Sequence, residues 1–162
     1  MAESAKAQLA AFIAKYTPEV AAEGRAVLKR MRAIMPGAVE LVYDNYQWLV
    51  VGFCPNERAS DAILSVVFTP KWITLCFLQN GPKLPDPHKL LRGSGKRVRS
   101  TRLASAKDMD MPAIRALIDA AIQSAREPID ASERGRLVIK SISARQKPRR
   151  PPVATPLARA RK

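Results

Sequence analysis

The chain has 162 residues, of which 47% are hydrophobic, which is enough for one domain with a proper core. No apolar stretch approaches the roughly 20 residues of a membrane span, and two cysteines in apolar runs do not make a disulfide scaffold. The N-terminus "MAESAKAQLAAFIAKY" lacks the basic cluster and unbroken apolar run of a secretory leader, so a soluble, cytoplasmic protein is expected. The net charge is +14, from 28 Lys and Arg against 14 Asp and Glu. Arg134 to Lys162 holds ten basic residues and no acidic one, and Lys89 to Lys107 holds seven basic residues and none acidic. Such fields favour anionic partners.

The elements follow in chain order. Residues 4 to 16 read as a helix, with Ser4 as N-cap and Leu9, Phe12, Ile13 and Tyr16 at helical spacing. Thr17-Pro18 restarts the chain as a cap followed by a proline at the first helical position. Val20, Gly24, Val27, Leu28, Met31, Ile34 and Met35 form the second stripe, and Pro36-Gly37 ends it. Residues 46–53, 62–69 and 72–78 are β-branched and aromatic, and read as strands. Thr69-Pro70-Lys71 joins the last two as a tight hairpin. Asp86-Pro87 opens a short helix over His88 to Arg92, stopped by Gly93. "RVRSTRL" (97–103) reads as a fourth strand. Asp108 or Asp110 caps a third long helix, which Pro128 closes, with Ile114, Leu117, Ile118, Ala121, Ile122 and Ala125 on its core face.

These elements predict an α+β fold in which one antiparallel sheet is covered on one face by helices. The folded domain is expected over 1–128. Residues 129–162 read as a basic, Pro/Arg-rich tail, with a short edge strand or strap near 136–142 and disorder elsewhere.

Three segments in this order are "MPGAVELVYDNYQWLVVGF", "ITLCFLQNGPKLPDPHKLLRGSGKRVRSTRL" and "MPAIRALIDAAIQSA". Together they resemble the YdhG-like domain family of unknown function over roughly residues 10 to 127. The most specific part runs from Leu84-Pro85-Asp86-Pro87 through Gly95-Lys96 to Arg99. The resemblance implies a compact α+β domain with an antiparallel sheet, similar in shape to frataxin. One branch of that family is linked to intracellular iron delivery. Frataxin-like iron handling relies on acidic residues along the first helices. Here that region has Glu3, Glu19 and Glu23 set among Lys6, Lys15, Arg25, Lys29, Arg30 and Arg32.

The letters Gly93-Ser94-Gly95-Lys96 invite comparison with a phosphate-binding loop. That loop needs a glycine five residues before Gly95, where Leu90 stands, and Ser or Thr after the lysine, where Arg97 stands. A softer anion site is expected instead. Gly93, Ser94 and Gly95 expose amides, and Lys96, Arg97, Arg99 and Arg102 supply charge; the alternative is a mobile turn with solvated charges. Tyr43, Asp44 and Tyr46, with Asp86 and the single histidine His88, are a second candidate, lining a ligand cleft if folding joins them. Trp48 and Trp72 are expected in the core. Cys54 and Cys76 sit at or within strands, away from a helix N-terminus that would activate a thiol.

The sequence contains no paired acid–base constellation, nucleophile elbow or metal-ligand spacing. It therefore predicts a non-enzymatic protein with no catalytic residues, no cofactor and no metal ligands. The expected partner is an anion, either nucleic acid or a phosphorylated ligand, held by the basic cluster and tail. The tail has no interleaved aromatics, so its contact with a polyanion is expected to be electrostatic. The second reading is a small-ligand or iron carrier of the frataxin-like type, using Asp44, Asp86 and His88. No membrane association is expected, and no oligomeric state follows from the sequence.

Overall fold

A computed structural model describes residues 3–153. Two helices lead. Helix α1 (Ala5–Ala14) is capped by Ser4, whose Oγ accepts the Ala7 amide at 3.0 Å. Helix α2 (Pro18–Ile34) is capped by Thr17, whose Oγ1 accepts the Val20 amide at 3.3 Å, with Pro18 at the first position. Strands β1 (Val39–Asp44), β2 (Leu49–Cys54), β3 (Leu64–Phe68), β4 (Ile73–Phe77) and β5 (Arg99–Leu103) follow, then helix α3 (Pro112–Gln123) and strand β6 (Arg136–Ile142). The sheet order is β5-β4-β3-β2-β1-β6. Neighbours from β5 to β1 are antiparallel, while β6 runs parallel to β1. No helix among the described residues is long and apolar enough to cross a membrane.

The fold is α+β, with the helices on one face. Leu9, Phe12 and Ile13 of α1, the stripe Val20, Val27, Leu28 and Met31 of α2, and Ile114, Leu117 and Ile118 of α3 share one core with Leu49, Phe68, Ile73, Leu75 and Leu103. Tyr16 pins the helices to the sheet. Its hydroxyl donates to the Phe68 carbonyl and accepts the Leu49 amide, each at 3.0 Å. At Gly24 the helix lies directly on Phe68, where a β-carbon would overlap the ring. The opposite face carries a small cluster of Val39, Leu41, Cys54 and Ala62, with no helical member.

The structure corrects the expected elements at five places. First, the sheet is mixed, because β6 joins β1 in parallel. Second, β1 precedes the first expected strand. Glu40 and Asp44 interrupt its apolar pattern, but both are buried against cations, Glu40 by Arg32 through two 2.8 Å hydrogen bonds. Third, no helix forms over 88–92. Lys89 takes a positive φ of 56°, and Arg92 leaves the turn extended to bridge Ser100 on the outer edge of β5. Fourth, α3 starts at Pro112 with Met111 as its N-cap residue. Asp108 instead accepts the Ala104 amide, and Asp110 pairs with Arg30. Fifth, Trp48 is 37% exposed and Trp72 partly exposed, so neither is a core residue.

The segment after α3 is also more ordered than its composition suggests. The strand expected near 136–142 forms, and the chain beyond it straps the end of the sheet. Residues 154–162 of the expected disordered tail lie outside the described residues.

Candidate anion-binding cleft and a buried charge knot

A cleft of about 250 Å³ opens where β4 leaves the sheet. Three segments build it. After β4, Gln79 fixes the first wall. Its Nε2 donates to the carbonyls of Asp61 (3.2 Å) and Ala62 (3.0 Å), and its Oε1 accepts the Arg126 amide at 3.0 Å. The chain then makes a one-turn 3₁₀ helix, Gly81–Lys83. The second segment, Lys96-Arg97, is held by the Gly81 amide, which donates to the Arg97 carbonyl at 2.8 Å. Only glycine permits this approach, since a β-carbon at residue 81 would stand 2.7 Å from that carbonyl and 2.8 Å from the Arg99 nitrogen. The third segment follows α3. There Arg126 donates to the Ser60 carbonyl and to Asp61 Oδ1.

The lining includes Lys83, Lys96, Arg97 and Arg126, with Ser60, Gln79 and Asn80 as uncharged polar groups and no carboxylate. Asp61 lies behind Arg126, where it also accepts from Asn56 (2.9 Å) and Arg58 (3.0 Å). Hydrogen bonds from Asn56 and Arg58 hold its carboxyl below the usual carboxylate range. The Lys83, Lys96 and Arg97 side chains have no ion pair or hydrogen bond among the described residues. Their charge is free to meet an anion.

The structure therefore unites Lys96 and Arg97 of the expected anion site, and adds Lys83 and Arg126. It does not gather the other expected members. Ser94 is exposed outside the cleft. Arg99 folds onto its own turn, donating to the carbonyls of Gly95 (2.6 Å) and Val98 (2.9 Å). Arg102 lies farther along β5, with its guanidinium 3.9 Å from the centre of the Trp72 ring. Lys83 and Arg126 had no sequence signal, because only the packing of the Gly81 turn near the end of α3 brings them in.

The second candidate, with Tyr43, Asp44, Tyr46, Asp86 and His88, separates into two unrelated places. Asp44 is fully buried in a knot of charge. Its Oδ2 accepts Lys15 Nζ and its Oδ1 accepts Arg149 Nη2, both at 2.8 Å. The Arg149 side chain is itself only 4% exposed, and it also donates to the backbone carbonyls of Asn45 and Tyr46. Burial alone would raise the Asp44 carboxyl, but hydrogen bonds from Lys15, Gln146 and Arg149 prevail and lower it. Tyr46 is half exposed and lies 5.8 Å beneath Lys147 Nζ. The Tyr43 hydroxyl is buried without a partner, and burial pushes its pKa up.

Asp86 and His88 belong to the loop packed on the start of α3, beside Pro112 and Ala113. Both Asp86 oxygens are engaged, accepting the amides of Leu90 (2.8 Å) and Leu91 (2.9 Å). This turn aims Leu90 and Leu91 at the core, and His88 stays exposed. Among the described residues, no three His, Cys, Asp or Glu side chains group as metal ligands. Burial and nearby Asp61 push the Cys54 thiol up to about 12, and burial raises Cys76. Neither is an activated thiolate at neutral pH.

In comparison with known proteins, no family model, curated protein or solved structure matches this chain.

Proposed function

We propose that the protein is a non-enzymatic binding domain for a phosphate-bearing anion, with nucleic acid as the leading partner class. One observation carries this reading. Four cations from three separate segments line one cleft with no carboxylate in its lining, and Lys83, Lys96 and Arg97 make no side-chain ion pair or hydrogen bond among the described residues. The Ser60 hydroxyl and the Asn80 amide add polar groups to that lining, which suits phosphate oxygens. Membership of the YdhG-like family is part of the same proposal, supported by the quoted segment from Leu84 to Arg99 and by the α+β arrangement.

The test is a salt-titrated binding assay with a fluorescent oligonucleotide, comparing the natural chain with K96E/R97E. Log affinity should fall linearly with log salt, and the double reversal should weaken binding and flatten that slope by about two. Binding indifferent to salt, or unaltered in the double variant, would remove the cleft from consideration.

A further inference from the structure

The strand register gives the sheet a second working face. Ile73, Leu75, Phe77 and Leu103 point to the helices. The alternate positions point the other way: Thr74 and Cys76 in β4, with Trp72 and Leu78 flanking the strand in the same alternation, and Ser100 and Arg102 in β5. Among the described residues, no helix packs across the middle of this side. Its small apolar cluster lies towards β1 and β2, where Ala62 from the preceding loop packs on Leu41 and Cys54. The β4–β5 half stays open, with Trp72, Thr74, Cys76 and Ser100 partly exposed and Arg102 exposed. None of these positions is itself acidic, and Glu19 and Glu23 of α2 line a pocket with Trp72 and Arg102 at one end.

The open half has a stacking surface at one end and a cationic cleft at the other. Arg102 lies flat enough on Trp72 to bring its guanidinium carbon 3.9 Å from the ring centre. It is exposed and makes no ion pair or hydrogen bond among the described residues, so its polar edge is not committed elsewhere. Indole rings and guanidinium planes are the surfaces on which unpaired bases stack. The other end of the strand, Leu78, lines the cleft with Lys96, Arg97 and Arg126. The span from Trp72 to Leu78 is about 20 Å, a length suited to a short run of nucleotides.

We propose that this open face is a platform for a single-stranded nucleic acid. A base stacks on the Arg102–Trp72 pair, and the sugar–phosphate backbone runs along β4 and β5 to seat its phosphates in the cleft. A duplex keeps its base faces stacked inside the helix and presents none to the platform. The proposal rests on the anion-binding reading of the cleft, and it names the class of strand bound there.

The experiment uses the full chain carrying Trp48→Phe, which leaves Trp72 as the remaining tryptophan. The probes are a labelled 12-nucleotide oligouridylate and a duplex of equal length, read by anisotropy at matched salt and by Trp72 fluorescence. The expected result is at least tenfold tighter binding of the single strand, with saturable quenching. In the natural background, Trp72→Ala and Arg102→Ala should each weaken the single strand about tenfold. Trp72→Ala should leave the salt slope unchanged. Equal affinity for the two probes, or unchanged single-strand affinity in both variants, overturns the platform and leaves the cleft reading standing. If neither probe binds, both readings are overturned.

Discussion

The Asp44 knot and the basic cleft are made of the same side chains and use them in opposite ways. In the knot, a guanidinium 4% exposed meets a carboxylate that is fully buried, and a lysine closes the group. In the cleft, four cations line an open space, and Asp61, the carboxylate paired with Arg126, is not part of the lining. A run of basic residues therefore does not reveal how much of its charge is available. Much of the C-terminal charge is committed to the body. Arg136 pairs with Glu57, Lys140 donates to the Glu57 carbonyl, and Arg150 donates to the Lys15 carbonyl just beyond α1. That last contact places a cation at the negative end of a helix.

Removing one arginine from each place separates buried from available charge most strongly. Arg149→Ala leaves the buried Asp44 with Lys15 as its remaining ion-pair partner, and removing one partner of a buried pair costs about 3–5 kcal/mol. Arg97→Ala removes a solvated side chain and should stay within about 0.5 kcal/mol. Urea midpoints of the two variants measure the contrast. Similar shifts would mean that the knot is no more structural than the cleft.

Two glycines in the cleft region give the next contrast. Gly81→Ala forces a β-carbon against the Arg97 carbonyl and the Arg99 backbone. The segment carrying Lys96 and Arg97 must move, at a cost of about 1–3 kcal/mol, and anion affinity should fall with it. Gly95→Ala has nothing within 4 Å of the added carbon and should leave both unchanged. Thermal unfolding and the oligonucleotide assay, run side by side, test the pair.

Acid distinguishes the same two places more gently. The Asp44 carboxyl is lowered in the folded chain, so its contribution to stability is fully present above its unfolded value, about 3.9. It is lost as pH falls through the folded value. Denaturant titrations between pH 5 and 2 should show stability declining below about pH 4. Asp44→Asn should remove part of that decline, although Asp61 and Asp130 are also lowered and contribute their own share. An identical pH profile for Asp44→Asn would show that the knot does not hold its proton equilibrium away from that of the unfolded chain.

What the sequence made legible was local. Ser4 and Thr17 cap their helices within three residues, and the Thr69 hairpin closes on Trp72 through its own hydroxyl. The apolar stripes predicted one helix-covered face. The failures came from partners far away in sequence. Asp44 looked like a turn residue because Arg149, which satisfies it, lies 105 positions on. Glu40 disguised β1 because the neutralising Arg32 belongs to the preceding helix. Asp86 was expected to cap a helix over 88–92, but its two oxygens instead close a turn at Leu90 and Leu91. The cleft was half legible. Lys96 and Arg97 stood in an obvious basic run, whereas Lys83 and Arg126 depend on the close approach at Gly81.

The smallest expected effect separates free charge from spent charge most directly. Each phosphate contact made by a side chain contributes about one to the slope of log affinity against log salt. Arg97→Ala should lower that slope by about one, weaken oligonucleotides of different sequence alike, and leave the urea midpoint in place. Lys140→Ala supplies the matched control from the strap. Its ammonium is engaged with the Glu57 carbonyl at 3.2 Å, and it does not line the cleft. If the cleft is the anchor, only Arg97→Ala changes the slope. If both change it equally, the anion is reading the net charge of +14 and not a site.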